Sequence, residues 1–239
     1  MCGIVGIIGR EPVAPMLVEA LKRLEYRGYD SAGVATLEEG KLDRRRAEGK
    51  LINLDRKLRQ EPLDGFIGIC HTRWATHGVP NETNAHPHFS NGVAIVHNGI
   101  IENFAELRKE LQADGYTFTS QTDTEVVAHL VARELRANKG PVEAAHAALK
   151  RLQGAFALAM LFEADPDLLI GARNGPPLAV GHGDGEMFLG SDAIALAPFT
   201  NMITYLEDGD WTVLRRTGHQ VFDIDGKPVE RKTVKSSGT

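Results

Sequence analysis

The chain has 239 residues, 42% hydrophobic and 25% charged, with a net charge of −5 and only two cysteines. This fits one large domain or two small ones, and the acidic balance argues against a nucleic-acid platform. There is no disulfide framework, no basic start followed by an apolar stretch, and no apolar run long enough to span a bilayer. A chain of the reducing cytoplasm, without nucleic-acid or membrane partners, is expected.

The apolar run Cys2–Ile8, bounded by glycines, reads as a buried strand. Val13, Met16, Leu17, Ala20, Leu21 and Leu24 recur at helical spacing, with Pro12 suited to the first turn. Tyr26–Ser31 breaks that pattern and reads as a loop, and Ala32–Thr36 as a strand. Arg44-Arg45-Arg46 reads as a solvated face or turn. A helix is predicted over Leu51–Leu58. Strands are predicted over Gly65–Cys70 and Val93–His97, each leading into a polar, glycine-bearing loop. Helices follow over Phe104–Leu111, after a capping box at Thr122-Asp123-Thr124-Glu125, and over Pro141–Leu152. From Gly154 onward, short apolar runs between Gly, Asp and Asn read as strands and hairpins, with a brief helix near Ala193–Ala197. The polar tail is expected to fray. Strands at both ends with helices between suggest a layered α+β domain.

Cys2 stands directly behind Met1. If Met1 is removed, one residue carries a thiol and a free α-amino group. A thiol of pKa about 8.5 needs a base, and an α-amino group of pKa about 7.7–8.0 supplies one near neutral pH. The first strand must then be central, since a frayed terminus cannot position a nucleophile. The rival thiol, Cys70, falls by alternation on a buried strand face and reads as inert core.

The loop His71–Gly78 gathers a guanidinium, an indole, hydroxyls and imidazoles on eight positions. Arg73 suits a carboxylate clamp, and a surface ion pair is the plainer alternative. His86-Pro87-His88 has close spacing, but no third partner stands at a metal spacing, so no metal site is expected. Asn98-Gly99 reads either as a hairpin turn or as an oxyanion hole built from a side-chain amide and a backbone N–H. Asp123 reads either as a helix-start carboxylate or as the partner of a ligand ammonium. Arg73 and Asp123 together would hold the two ends of an α-amino acid. With a terminal Cys and an amide-polarising Asn-Gly, they point to acyl transfer from glutamine with release of ammonia.

Several stretches taken together resemble one family. They are Cys2–Gly6, Glu25–Gly33, His71–Gly78, Asn84–His88, His97–Asn103 and Thr122–Val126. In this order they are similar to the glutaminase half of the glutamine–fructose-6-phosphate aminotransferases, within the N-terminal-nucleophile amidotransferases. The resemblance runs over essentially the whole chain and is densest to about position 130.

It implies an α+β fold, a four-layer αββα sandwich of the N-terminal-nucleophile hydrolase type. The whole of 1–239 would be a single type-2 glutamine amidotransferase domain with a tail frayed from about 232, the family's sugar isomerase domains lying outside it. Cys2 would be the nucleophile, Asn98 and Gly99 the oxyanion hole, and Arg27 a support beside the nucleophile. Arg73 and Asp123 would hold the glutamine carboxylate and ammonium, and Trp74, Thr76 and His77 would close over the substrate. No cofactor is implied. The partners would be L-glutamine and the C-terminal isomerase half, which would turn the ammonia and fructose 6-phosphate into glucosamine 6-phosphate. Other classes are a different class II glutaminase, a non-catalytic glutamine sensor, and an N-terminal-nucleophile hydrolase of peptides or acyl amides.

Overall fold

The apolar run behind Cys2 becomes strand β1 (Gly3–Ile8), every residue of it buried. A computed structural model describes residues 2–75, 78–137 and 139–236. After β1 come α1 (Ala14–Lys22), a 3-10 turn (Glu25–Arg27), β2 (Ser31–Glu38), β3 (Lys41–Glu48), α2 (Leu51–Gln60) and β4 (Ile67–Arg73). The middle holds β5 (His88–Ser90), β6 (Val93–Ile101), α3 (Phe104–Ala113), α4 (Thr124–Arg136) and α5 (Pro141–Leu149). Then follow β7 (Gly154–Phe162), β8 (Asp165–Asn174), β9 (Ala179–His182), β10 (Met187–Gly190) and α6 (Ala193–Leu196). The last strands are β11 (Met202–Tyr205), β12 (Trp211–Arg215), β13 (Gly218–Phe222), β14 (Pro228–Val229) and β15 (Thr233–Lys235).

Two antiparallel sheets form. One runs β15-β11-β9-β10-β1-β4-β2-β3 and the other β14-β13-β12-β8-β7-β6-β5, so β1 is central, the position expected of it if Cys2 is a nucleophile. Strand alternation sorts side chains into three apolar layers. Val5, Ile7 and Cys70 face α1, α2 and α6. Ile4, Ile69, Val96 and Ala159 fill the space between the sheets. Val93, Ile95, Leu158 and Met160 face α3, α4 and α5. The result is helices, sheet, sheet, helices. Small residues let the sheets close: a Cβ on Gly6 would sit 3.0 Å from Leu169 Cδ2, and one on Gly33 only 1.8 Å from the His86 carbonyl.

Several sequence expectations are corrected. Arg44-Arg45-Arg46 lies in an edge strand, β3, and not in a turn. β4 and β6 outrun their apolar cores, so Arg73, Asn98 and Gly99 are strand residues rather than loop residues. In particular, Asn98-Gly99 makes no hairpin turn, for Asn98 pairs with Ala157 and Gly99 with Phe156. The proline in the first turn of α1 is Pro15; Pro12 precedes the helix. Thr233–Lys235 of the expected frayed tail pairs with β11. Among the described residues no helix is long and apolar enough to cross a membrane.

Candidate active site

β1 and β4 run antiparallel, with Gly3 opposite Thr72, so Cys2 emerges beside the end of β4. There the Trp74 backbone N–H donates to Cys2 Sγ at 3.1 Å. Burial pushes the Cys2 thiol up, and the Trp74 amide and the Arg73 charge oppose that shift. The thiol therefore needs a base to become a thiolate. Cys70 is fully buried and pushed further up by burial, which fits core packing.

Asn98 reaches Cys2 from the facing sheet. By alternation it shares the inter-sheet face of β6 with Ala94 and Val96, as His71 shares that of β4 with Ile67 and Ile69. Asn98 Nδ2 donates to the Cys2 carbonyl at 3.2 Å, while Asn98 Oδ1 lies 3.0 Å from His71 Nε2. Burial holds His71 at a pKa of about 3, so the ring is neutral. Its proton must sit on Nε2, because the Asn98 oxygen can only accept. The two contacts pin the amide's orientation at the wall of the cavity. Gly99 has φ +107°, and a Cβ there would lie 2.1 Å from the Ala155 carbonyl, so no other residue fits without moving β7.

Behind the amide lies a layer of imidazoles. His71 stacks on His86 at 3.9 Å. His86 Nδ1 accepts from the His97 backbone N–H, so its Nε2–H donates to Thr124 Oγ1. Thr124 Oγ1 in turn lies 3.0 Å from His97 Nδ1. Of the pair that suggested metal spacing, His86 is thus held by the His97 amide and Thr124, and His88 Nε2 lies 3.1 Å from Thr122 Oγ1.

Arg73 is buried, and its guanidinium donates to the Val79 and Gly78 carbonyls at 3.2 and 3.3 Å. Burial lowers its pKa, while Asp30, Cys2 and Asp123 counteract that. Asp123 is also buried and precedes α4, but its side chain caps no helix amide. Its Oδ2 accepts instead from the Ile101 N–H at 2.8 Å. The expected capping box is therefore replaced. Glu125 accepts from Thr119 and Ser120 N–H and from His129, which ties down the turn ahead of Asp123.

Cys2, Arg73, Trp74, Asn98, Gly99 and Asp123 all line one cavity of about 420 Å³. Arg27 lines it as well, held by a short ion pair to Asp192. Trp74 is 55% exposed at the mouth. Thr76 and His77 lie outside the described residues. Pro176 and Pro177, at the end of β8, also line the cavity and left no signal in the sequence. The Trp74 N–H left none either, because a backbone donor is not visible in residue identity. Asp192 could have been suspected only as a possible partner for Arg27.

A family profile described as a glutamine amidotransferase domain matches residues 71–198, more than half of the chain. The glutamine–fructose-6-phosphate aminotransferase (isomerizing) of Mesorhizobium japonicum is 79% identical over 239 residues, and that of Brucella suis 69%. Both alignments take in the whole of this chain but 39% of the relative, so the chain spans about 39% of the length of these curated relatives. Among solved structures, the B. subtilis glutamine phosphoribosylpyrophosphate amidotransferase superposes with a TM-score of 0.79 at 27% identity, covering 93% of this chain and 49% of that one. A class-II glutamine aminotransferase domain protein from Silicibacter pomeroyi shares the fold, with a TM-score of 0.64 at 18% identity over 93% of this chain and 99% of that one. The αββα sandwich of the N-terminal-nucleophile amidotransferases is thus the observed architecture, and the chain belongs to the glutamine amidotransferase domain family.

Proposed function

We propose that this chain, once Met1 is removed, hydrolyses L-glutamine to L-glutamate and ammonia through a Cys2 γ-glutamyl thioester. The observation that carries the reading is the convergence of a thiol, an Asn-Gly pair, a guanidinium and a carboxylate on one cavity. Arg73 binds the substrate carboxylate and Asp123 its ammonium, which aims the carboxamide at Cys2. The α-amino group takes the thiol proton, and Sγ bonds to the carboxamide carbon. The Asn98 amide and the Gly99 N–H meet the oxyanion that forms. The tetrahedral intermediate collapses, the nitrogen leaves as ammonia with the proton from the amine, and water then cleaves the thioester to glutamate and the thiol. Burial of Cys2 makes the neighbouring base necessary, since it opposes spontaneous ionisation.

The relatives' name supports a further step: the ammonia serves fructose 6-phosphate in the isomerase half of a longer protein, which yields glucosamine 6-phosphate. Two free cysteines suit the cytoplasm as the compartment. The test is glutamate and ammonia release from L-glutamine, with mass spectrometry confirming the loss of Met1. Release that disappears in Cys2→Ala is expected. No release from protein shown to lack Met1 would overturn a self-sufficient glutaminase.

A further inference from the structure

Arg73 ends strand β4 and Asp123 stands just ahead of helix α4, on a distant chain segment, so something must set the span between them. The connection runs through two amides. Asn84 Nδ2 donates to the Val79 carbonyl and to Gln121 Oε1, each at 2.9 Å. Asn84 Oδ1 accepts from the Gln121 backbone N–H at 2.8 Å. Gln121 Oε1 also accepts from the Val79 N–H at 3.3 Å. The Val79 carbonyl that Asn84 holds is the same one the Arg73 guanidinium uses. Gln121 stands two residues before Asp123. Gly78 fits between the two amides only as glycine: its φ is +81°, and a Cβ would lie 2.8 Å from both Asn84 Nδ2 and Gln121 Cβ.

The far side of Asn84 is anchored as well. Arg46 Nη1 donates to the Thr83 and Ala85 carbonyls on either side of it, at 3.2 and 3.1 Å. Arg44 Nη1 donates to the Pro87 carbonyl at 3.0 Å. The basic run of β3 therefore grips backbone oxygens of the segment that carries Asn84.

We propose that Asn84 and Gln121 form a latch that sets the distance between Arg73 and Asp123, and so position the two ends of the bound α-amino acid. This rests on the assignment of those two residues to glutamine given above. Asn84 and Gln121 are positioning residues, and neither lines the candidate cavity. Breaking the latch loosens recognition of the amino-acid end and leaves the nucleophile and the Asn-Gly pair in place.

The experiment uses the 239-residue chain with Met1 removed. Asn84→Ala should raise KM for L-glutamine at least 10-fold, with kcat within about 3-fold of the parent. Gln121→Ala keeps its own backbone N–H on Asn84 and should show a smaller rise. The rise in the double variant should fall short of the product of the two single rises, because the pair acts as one unit. Two thiol reagents separate positioning from general damage. 6-Diazo-5-oxo-L-norleucine carries the amino-acid end, and iodoacetamide does not. Alkylation of Cys2 by the first should slow at least 10-fold in Asn84→Ala, while alkylation by the second stays within 2-fold. Equal slowing with both reagents, or with neither, would overturn the latch. If Asn84→Ala does not fold, Gln121→Ala gives the same comparison: selective slowing by the amino-acid reagent supports the latch and its absence overturns it. If the parent chain does not prefer the L- over the D-form of the amino-acid reagent, the glutamine reading itself fails, and the latch falls with it.

Discussion

Asn98 shows how much of this site depends on orientation rather than on residue type. An asparagine amide can flip, and a flipped Asn98 would present an oxygen to a developing oxyanion. The neutral His71 ring and the Cys2 carbonyl together prevent that, one donating to Oδ1 and the other accepting from Nδ2. Asn98→Ala should lower kcat by roughly 100–1000-fold, as for a lost oxyanion donor, with KM changing much less. Steady-state kinetics on L-glutamine checks this, and a kcat within 3-fold of the parent would remove Asn98 from that role. At this scale the sequence was readable where a side chain was the candidate: Cys2, Arg73, Asn98 and Asp123 meet in one cavity. It was silent where backbone does the work. The Trp74 N–H on Cys2 Sγ has no residue signature, and the carbonyls of Gly78 and Val79 on Arg73 have none.

At the scale of elements, apolar strands were legible and charged ones were not. Every residue of β1 is buried, and Val93–Val96 of β6 are buried too, so their runs of Ile, Val and Ala announce them. β3 reads Lys-Leu-Asp-Arg-Arg-Arg-Ala-Glu, which carries no strand period, yet it pairs with β2 along its full length. Charge is what an edge strand uses to discourage pairing with another chain. Here the Leu42 N–H at that edge donates to Glu163, in the turn between β7 and β8 of the other sheet. Strand ends were misplaced for a related reason: polar or glycine residues, His71–Arg73 and Asn98-Gly99, interrupt the apolar runs where the ends of β4 and β6 line the cavity. The turn ahead of α4 carries a prediction of its own. Glu125 is buried and takes three hydrogen-bonding groups that the expected capping box would have used differently. Burial raises its pKa, but His129, Ser120 and the Thr119 amide outweigh burial and bring it to about 2. Glu125→Gln should cost about 1.5–3 kcal/mol of stability, the range for hydrogen bonds to a charged group. Urea unfolding at pH 7 measures it, and a loss below about 0.5 kcal/mol would mean that the charge is not needed there.

Across the whole molecule, placing the site between two sheets fills part of the interior with imidazole. His71, His86 and His88 are all buried. Burial lowers each of them, joined by neighbouring positive or titratable groups, to about 3 for His71 and His88 and well below the usual value for His86. In the unfolded chain each takes up a proton near the ordinary pKa of about 6.5. Between pH 6.5 and 3 the unfolded state therefore binds more protons than the folded state, and stability rises with pH across that window. The contribution is complete above pH 6.5 and is lost as pH falls toward 3. Each buried imidazole adds a slope that approaches about 1.4 kcal/mol per pH unit below pH 6.5, so His71 and His88 together remove roughly 3 kcal/mol between pH 6.5 and 5. Glu125 acts in a lower window: its stabilisation is present above about pH 4.5 and is lost as pH falls toward 2. Unfolding by mild acid should therefore begin well above the carboxylate range. His88 offers the cleanest variant, because among the described residues its Nε2 meets Thr122 Oγ1 alone, at 3.1 Å, a contact that a glutamine amide can keep without a titrating proton. His88→Gln should flatten the dependence of unfolding free energy on pH between 6.5 and 5 by about one imidazole's share. Urea unfolding at pH 7 and at pH 5 gives that slope directly. An unchanged slope would mean that His88 takes up its proton in the folded state and that the buried layer opens to water in mild acid.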